Sequence, residues 1–444
     1  MEFVVLVVAI AFIVIATLRF KMHPVLSLTV AAIFAGSCLG LNPDELLKTL
    51  TDGFGKTLSS IGLIIAFGAI IGVFLERTGA TQVLAQTIIK GIGLKRSPLA
   101  LNFAGFFISI PVYCDSGFVI LSSLNKPLSK KTGIPKLVFV IALATGLYSA
   151  HVFVPPTPGP LAAAAMVEAD LGMVLLLGLL VAIPVSLTGD FWARFVGGKL
   201  NVTEATTDRP SQSKQPVNKW ELPKPLYAFI PILVPIVLIA LRSIADYPTH
   251  PFGTGMLYDG FMTLGNPVIA LLIGVFLAFP LAKIKQKQPK TSGWVADAMK
   301  QAGGIVLITG AGGGFGAVLR TMDIPTLIDF SATSGIGGLL VCFGIAAILK
   351  TAQGSSTVAI ITTAAIITPL LEVFGLIDTM DRVLTVLAIG AGAMTVSHIN
   401  DSYFWVVSQF SGIDLKTALK GHTVATLSQG LVAIGLILVL YLLF

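Results

Sequence analysis

Charge is what this sequence has least of. Only 11% of its 444 residues are Asp, Glu, Lys or Arg, while 55% are hydrophobic and the mean hydropathy is +0.90. Soluble domains carry roughly 25% charged residues, so a soluble fold is excluded. The alternating segments of about 10 residues that mark a membrane β-barrel are missing too; the apolar runs are long and continuous. What remains is an all-α polytopic membrane protein. Cysteine is also scarce. Cys38, Cys114 and Cys342 stand apart without metal-ligand spacing, which excludes a disulfide framework and a zinc site. No metal or organic cofactor is expected. Residues 1–18 lack the basic stretch and small-residue cleavage site of a signal peptide, so they are expected to form a first span. The net charge of +7 comes from basic residues in loops beside the spans. That is a membrane signature and argues against a nucleic-acid partner.

What is present instead is a set of paired polar interruptions. The first half carries Pro111-Val-Tyr-Cys-Asp-Ser-Gly117 and then Ser149-Ala-His-Val-Phe-Val-Pro-Pro-Thr-Pro-Gly159. The second half carries Ala352-Gln-Gly-Ser-Ser-Thr357 and then Ser397-His-Ile-Asn-Asp-Ser402. Ser116 and Ser356 are 240 positions apart, and His151 and His398 are 247 apart. Broken polar segments at corresponding places of two apolar halves point to a secondary transporter and to its site.

Orientation follows from where Lys and Arg collect. Arg19 and Lys21 put the first loop inside and the N-terminus outside. Spans 2 (23–41) and 3 (58–75) follow, and Arg77, Lys90, Lys95 and Arg96 mark the inside again. Residues 98–125 both start and end inside, because Lys126, Lys130, Lys131 and Lys136 come next. Arms of about 13 residues are too short for two crossings of about 20 residues each, which predicts a re-entrant hairpin. Asp115, Ser116 and Gly117 are expected at its tip. Span 4 runs outward from 137, is broken at 151–159, and span 5 (171–193) returns.

A cytoplasmic linker, 196–225, divides a first repeat (1–195) from a second (226–444). The second repeat holds spans 6 to 8 (226–244, 263–282, 301–319) and an outside-entered hairpin, 336–371, with its tip at Gln353 to Thr357. Span 9 (383–410) is broken at Ser397 to Ser402, and span 10 (422–443) ends outside. The expectation is an inverted-topology repeat of about ten spans, two re-entrant hairpins and two broken helices. Lys350, near the second tip, and Arg382 fit the charge rule poorly.

Several stretches carry a family resemblance. They are Gly53-Phe-Gly-Lys-Thr57, Asp115-Ser-Gly-Phe-Val-Ile120, Val154-Pro-Pro-Thr-Pro-Gly-Pro160, Thr309-Gly-Ala-Gly-Gly-Gly-Phe315, Gly354-Ser-Ser-Thr-Val-Ala359 and Asn400-Asp-Ser-Tyr-Phe-Trp405. With these the chain resembles the gluconate permease family, the gluconate:proton symporters, over nearly its whole length. The resemblance implies import of gluconate or a related hydroxy acid, or of D-serine in one branch, with protons preferred over sodium. It also implies an inner-membrane homodimer of the ion-transporter superfamily, working as an elevator. Two departures fall at the expected site. Gluconate carriers tend to have Val-Glu-Val-Gly at the first tip, where this chain has Tyr113-Cys-Asp-Ser-Gly117. They often have Pro-Pro-His-Pro where this chain has Pro155-Pro-Thr-Pro158. A smaller acid such as glycerate therefore competes with gluconate as the substrate.

Half-helix N-termini offer free N–H donors and partial positive charge, which suit a carboxylate. Ser116, Ser355, Ser356 and Thr357 are the expected donors, with Asn400 and Ser402 for substrate hydroxyls. Gly117, Thr157, Gly159 and Gly354 lie where backbone would approach the substrate. The bland alternative for each hydroxyl is a bond to its own helix. Asp115 and Asp401 are the candidates for the coupling proton, since a carboxyl at mid-membrane is a functional candidate by default. Asp401 is preferred, although either could instead cap a half-helix. His151 and His398 could relay protons or bond a substrate hydroxyl; a neutral His satisfying broken backbone is the plainer role. A membrane-embedded hydrolase using Ser116, His151 and Asp401 is disfavoured, because no nucleophile elbow or metal motif accompanies them. Paired hairpins disfavour a channel.

Overall fold

A computed structural model describes residues 2–197, 199, 222–246, 251–285, 291–321, 334–399 and 401–444. Among them every regular element is helical. The first half runs α1 (Glu2–Leu18), α2 (Pro24–Cys38), α3 (Pro43–Thr78), α4 (Ala80–Ile92), α5 (Ser97–Ser109), α6 (Cys114–Ser122), α7 (Asn125–Thr132), α8 (Lys136–Phe153), α9 (Pro158–Met166) and α10 (Leu171–Gly197). The second runs α11 (Pro225–Ala245), α12 (Met256–Leu264), α13 (Pro267–Lys285), α14 (Thr291–Leu319), α15 (Ile336–Gln353), α16 (Ser356–Ile367), α17 (Thr379–Met394), α18 (Ser402–Ser411), α19 (Leu415–Ala418) and α20 (Val424–Leu443).

Among the described residues, seven helices are long and apolar enough to cross a membrane, or eight if the bent pair α12–α13 is one span. The expected count of about ten is reached only by adding shorter apolar helices such as α1 and α2. The segment 98–125 forms two arms, α5 and α6, of 13 and 9 residues. At 1.5 Å per residue neither arm can cross a hydrocarbon core of about 30 Å. In the second hairpin the first arm, α15, has 18 residues and is itself long enough to cross.

The first arms of the two broken helices each hold a long stretch that is wholly buried. Every residue of α8 from Leu137 to Phe153 is buried, as is every residue of α17 from Val383 to Met394. Neither shows a polar face because each is surrounded by other helices. Small residues set the spacing, since close backbone approach is what holds helices together in lipid. A Cβ on Gly72 of α3 would stand 2.2 Å from the Pro111 carbonyl oxygen. Glycine there lets the end of α5 rest directly on α3. Gly68, one turn earlier, faces Pro156 at ordinary contact distance. One helix thus supports both chain breaks of the first half.

Candidate functional site

Four half-helices start inside the protein, and the local sequence explains each start. After Pro111, Tyr113 is the extended residue before α6, and the Gly117 N–H donates to its carbonyl at 2.9 Å. Asp115, Ser116 and Gly117 therefore lie in the first turn of α6, not at the hairpin tip, which falls at 110–113. Gly117 does not end or begin a helix there. Its actual use is packing, since a Cβ there would meet Leu147 Cδ2 at 2.6 Å. In the first broken helix the break is 154–157. It holds the cis Pro155–Pro156 bond, and Pro158 opens α9. His151 sits in the last turn of α8, before the break.

In the second hairpin Gly354 ends α15 at φ +77°, a left-handed conformation that glycine adopts without strain. Ser355 then caps α16, its hydroxyl accepting from the Val358 N–H at 3.4 Å. In the second broken helix α17 ends at Met394, and Asp401 caps α18 by accepting from the Tyr403 N–H at 3.0 Å.

Three of these starts converge on one cavity of about 210 Å³. Cys114 and Asp115 come from α6, Ser355, Ser356 and Thr357 from α16, and Asp401 and Ser402 from α18. His151, Tyr113 and Tyr403 close the polar side, and Ile305 and Ile308 of α14 form an apolar wall. Thr157 and Pro158, at the start of α9, line a small neighbouring cavity that shares Tyr113 and His151. Helix N-termini favour anions, and three of them at one point offer their N–H donors and partial positive charge to the same ligand. A volume of 210 Å³ lies below the 300–1,000 Å³ typical of drug-sized ligands and suits a small solute.

The charged groups divide into a paired set and a free one. The Lys350 ammonium, 1% exposed, donates to Asp401 Oδ2 at 2.5 Å. The same oxygen accepts from the Ser397 hydroxyl, which also contacts His422 Nε2 at 3.1 Å. Asp401 is thus a cap and half of a buried ion pair. Asp115 differs. Its Oδ1 is shut from solvent and has no hydrogen-bond partner among the described residues. His151 Nε2 meets the Thr357 hydroxyl at 3.3 Å, while its Nδ1 is buried without a partner among the described residues.

Of the residues singled out in the sequence, Asp115, His151, Ser355, Ser356, Thr357, Asp401 and Ser402 are brought together here. Ser116, Gly117, Gly159, Gly354 and His398 are not among the cavity's lining, and Thr157 lines only the neighbouring one. His398 is half-buried, and its carbonyl accepts from the Asp401 N–H at 2.7 Å. Asn400 lies outside the described residues.

Sequence reasoning missed Lys350 as a partner and missed His422 altogether. The misfit of Lys350 with the charge rule was its signal, since a lysine deep in a membrane protein needs a counter-ion. His422 had none. It lies in a π-helical turn, Leu419–Thr423, leading into an unbroken apolar helix. Arg382, the other misfit, donates to the Val167 carbonyl at 2.7 Å, just beyond the end of α9.

Residues 1–443 match the model of the GntP family of permeases. The chain belongs to that family. It shares 32% identity over 443 residues with a gluconate permease of Pseudomonas aeruginosa, covering 98% of this chain and 96% of that one. It shares 30% over 434 residues with the D-serine transporter DsdX of Escherichia coli K12, covering 97% and 96%. Among solved structures, MtrF of Neisseria gonorrhoeae, described as representing a class of antimetabolite efflux pumps, superposes with a TM-score of 0.62. That match has 15% identity and covers 89% of this chain and 84% of MtrF, so the fold is shared. As a GntP permease the chain is an integral membrane protein, and its named relatives carry small acids.

Proposed function

We propose that this GntP permease imports a small hydroxy-carboxylate together with a proton, by elevator-type alternating access in a homodimer of the inner membrane. One observation carries the reading. Three half-helix N-termini face a 210 Å³ cavity in which one carboxyl oxygen, Asp115 Oδ1, has no partner among the described residues. The N-termini suit a carboxylate. An ionised Asp115 beside that carboxylate would repel it. A protonated Asp115 would instead donate a hydrogen bond to it. Binding of anion and proton then reinforce one another, which is what symport requires. The coupling role moves from Asp401 to Asp115 in this reading, because Asp401 is held by Lys350, Ser397 and the start of α18.

The recurring order of elements supports reading the two halves as inverted repeats. A hairpin (α5–α6, α15–α16) is followed each time by a broken helix (α8–α9, α17–α18) and a long closing helix (α10, α20). Elevator motion and dimerisation rest on the resemblance to the ion-transporter superfamily.

A second reading is favoured by the same oxygen. An ionised Asp115 could hold the ammonium of a D-amino acid, with the helix N-termini holding its carboxylate. One experiment separates the two readings. Purified protein in liposomes is offered gluconate, glycerate and D-serine, with and without an inward proton gradient and with and without sodium. The hydroxy-acid reading expects gradient-driven accumulation of gluconate or glycerate without sodium. Accumulation of D-serine alone would replace it with the second reading, and accumulation that needs sodium would remove the proton coupling.

A further inference from the structure

A second and larger cavity, about 490 Å³, lies at the other ends of the helices that wall the first. Helix α14 lines the central cavity with Ile305 and Ile308 and the second with Gly312, Gly313, Gly316 and Ala317, and Arg320 just past its end lines the second too. Helix α16 starts at the central cavity, and Thr368, just past its end, lines the second. Helix α9 starts beside the central cavity and ends at Met166, which lines the second. At 1.5 Å per residue the nearest lining residues of the two cavities lie about 6 Å apart along α14, from Ile308 to Gly312, and about 15 Å apart along α16, from Val358 to Thr368. Apolar side chains fill the space between. A Cβ on Gly159 would meet Ile360 at 2.8 Å, and one on Gly312 would meet Met166 at 2.5 Å and Ala365 at 3.2 Å.

The larger cavity is lined by cations, whereas the charged groups lining the central one are the carboxyls Asp115 and Asp401. Lys56 and Arg320 line it together with Glu168. Lys56 Nζ is 3.2 Å and Arg320 Nη1 3.4 Å from Glu168 Oε1, and Arg382 Nη1 is 3.8 Å from Oε2. Three cations thus share one carboxylate. Partial burial pushes the Glu168 carboxyl up, but the Lys56 hydrogen bond and the charges of Arg320, Lys56 and Arg382 outweigh it and hold it below its ordinary value. It stays ionised, and the cluster keeps a positive excess. The Lys56 and Glu168 side chains are 74% and 48% exposed. Ion pairs this exposed add little net stability, so a carboxylate from solution can compete with Glu168 for its partners.

We propose that this cavity is an anion-capture vestibule. A small carboxylate docks on Lys56 and Arg320 before it reaches the central site, and Glu168 is the built-in competitor that occupies those cations when the vestibule is empty. The inference rests on the carboxylate-import reading and adds to it a second site with its own residues. It places the vestibule on the outer face, where the lysine and arginine bias puts the start of α3 and the ends of α9 and α14.

The test is initial-rate uptake in liposomes by the wild type and by Lys56→Gln, Arg320→Gln and Glu168→Gln, at low and high salt. Removing a cation should raise KM about 3–10-fold and flatten its salt dependence, with the maximal rate unchanged. Glu168→Gln should shift KM the other way, because it frees the cations. Arg320 also donates to the Met166 carbonyl at 3.3 Å. If that variant folds poorly, Lys56→Gln and Glu168→Gln carry the test. Unchanged KM in both, or shifts in the same direction, would overturn the vestibule while leaving the import reading intact. Failure of the wild type to take up any carboxylate would overturn both.

Discussion

Two carboxyls 286 positions apart in the chain end up on one cavity with opposite circumstances. Asp401 has a cation, a hydroxyl and a backbone N–H; Asp115 keeps one oxygen without a partner among the described residues. That contrast decides what each substitution should do. Asp115→Asn fixes the neutral, donating form in nearly the same shape. It should keep substrate exchange between equal pools and lose accumulation driven by a proton gradient. Loss of both activities would show that Asp115 holds the substrate without carrying the proton. Lys350→Ala leaves a buried charge unpaired, which costs about 3–5 kcal/mol. Its thermal unfolding midpoint in detergent should drop sharply, and adding Asp401→Asn should restore part of the loss. An unchanged midpoint in Lys350→Ala would mean that the pair contributes no stability.

At the scale of elements, breaks were legible and registers were not. Polar residues, prolines and glycines inside apolar runs stand out, because a broken helix in a membrane must satisfy its own backbone. The chain breaks at 110–113, at 154–157, at 354–355 and after Met394 could therefore be located from sequence. Which residue starts each half-helix depends on caps and on contacts with other elements. The break at Gly354 and Ser355 was placed where it falls because these residues end one helix and begin the next by their own conformation. Gly117 misread because its role depends on Leu147, far along the chain. Lys350 showed as an anomaly without a partner, and His422 showed nothing, since a pairing through space leaves no local pattern.

The seating of the first hairpin on α3 is a further property of elements, and it can be tested with two glycines. Gly72→Ala would drive a Cβ to 2.2 Å from the Pro111 carbonyl oxygen, a backbone atom that can move only with the hairpin. The cost is about 1–3 kcal/mol of overpacking. Its visible effect should be a large fall in the maximal uptake rate. Gly68→Ala meets its nearest atom, the Pro156 carbonyl oxygen, at 3.6 Å and should transport normally. Equal behaviour of the two variants would remove the argument that the hairpin rests on Gly72.

The whole molecule has two charged ends, and they differ in kind. One holds the Lys56, Arg320, Arg382 and Glu168 cluster around the larger cavity. The other joins the end of α3 to the start of α14 through Arg77 and Asp297 at 2.8 Å. In the proposed orientation the Arg77 end, followed in the chain by Lys90, Lys95 and Arg96, faces the cytoplasm, and the vestibule faces outside. An anion entering from outside would then meet the vestibule, the apolar side chains of Met166, Ala365 and Ile360, and the central cavity in that order. Cysteine labelling in intact cells tests the orientation directly. Only Cys38 of the three native cysteines is exposed, so replacing it by serine gives a quiet background while leaving Cys114 at the cavity. A membrane-impermeant maleimide should then label Lys56→Cys in intact cells and Arg77→Cys only after permeabilisation. The opposite pattern would invert the molecule in the membrane. The charged cavity would then face the cytoplasm, where it would gather anions on their way out.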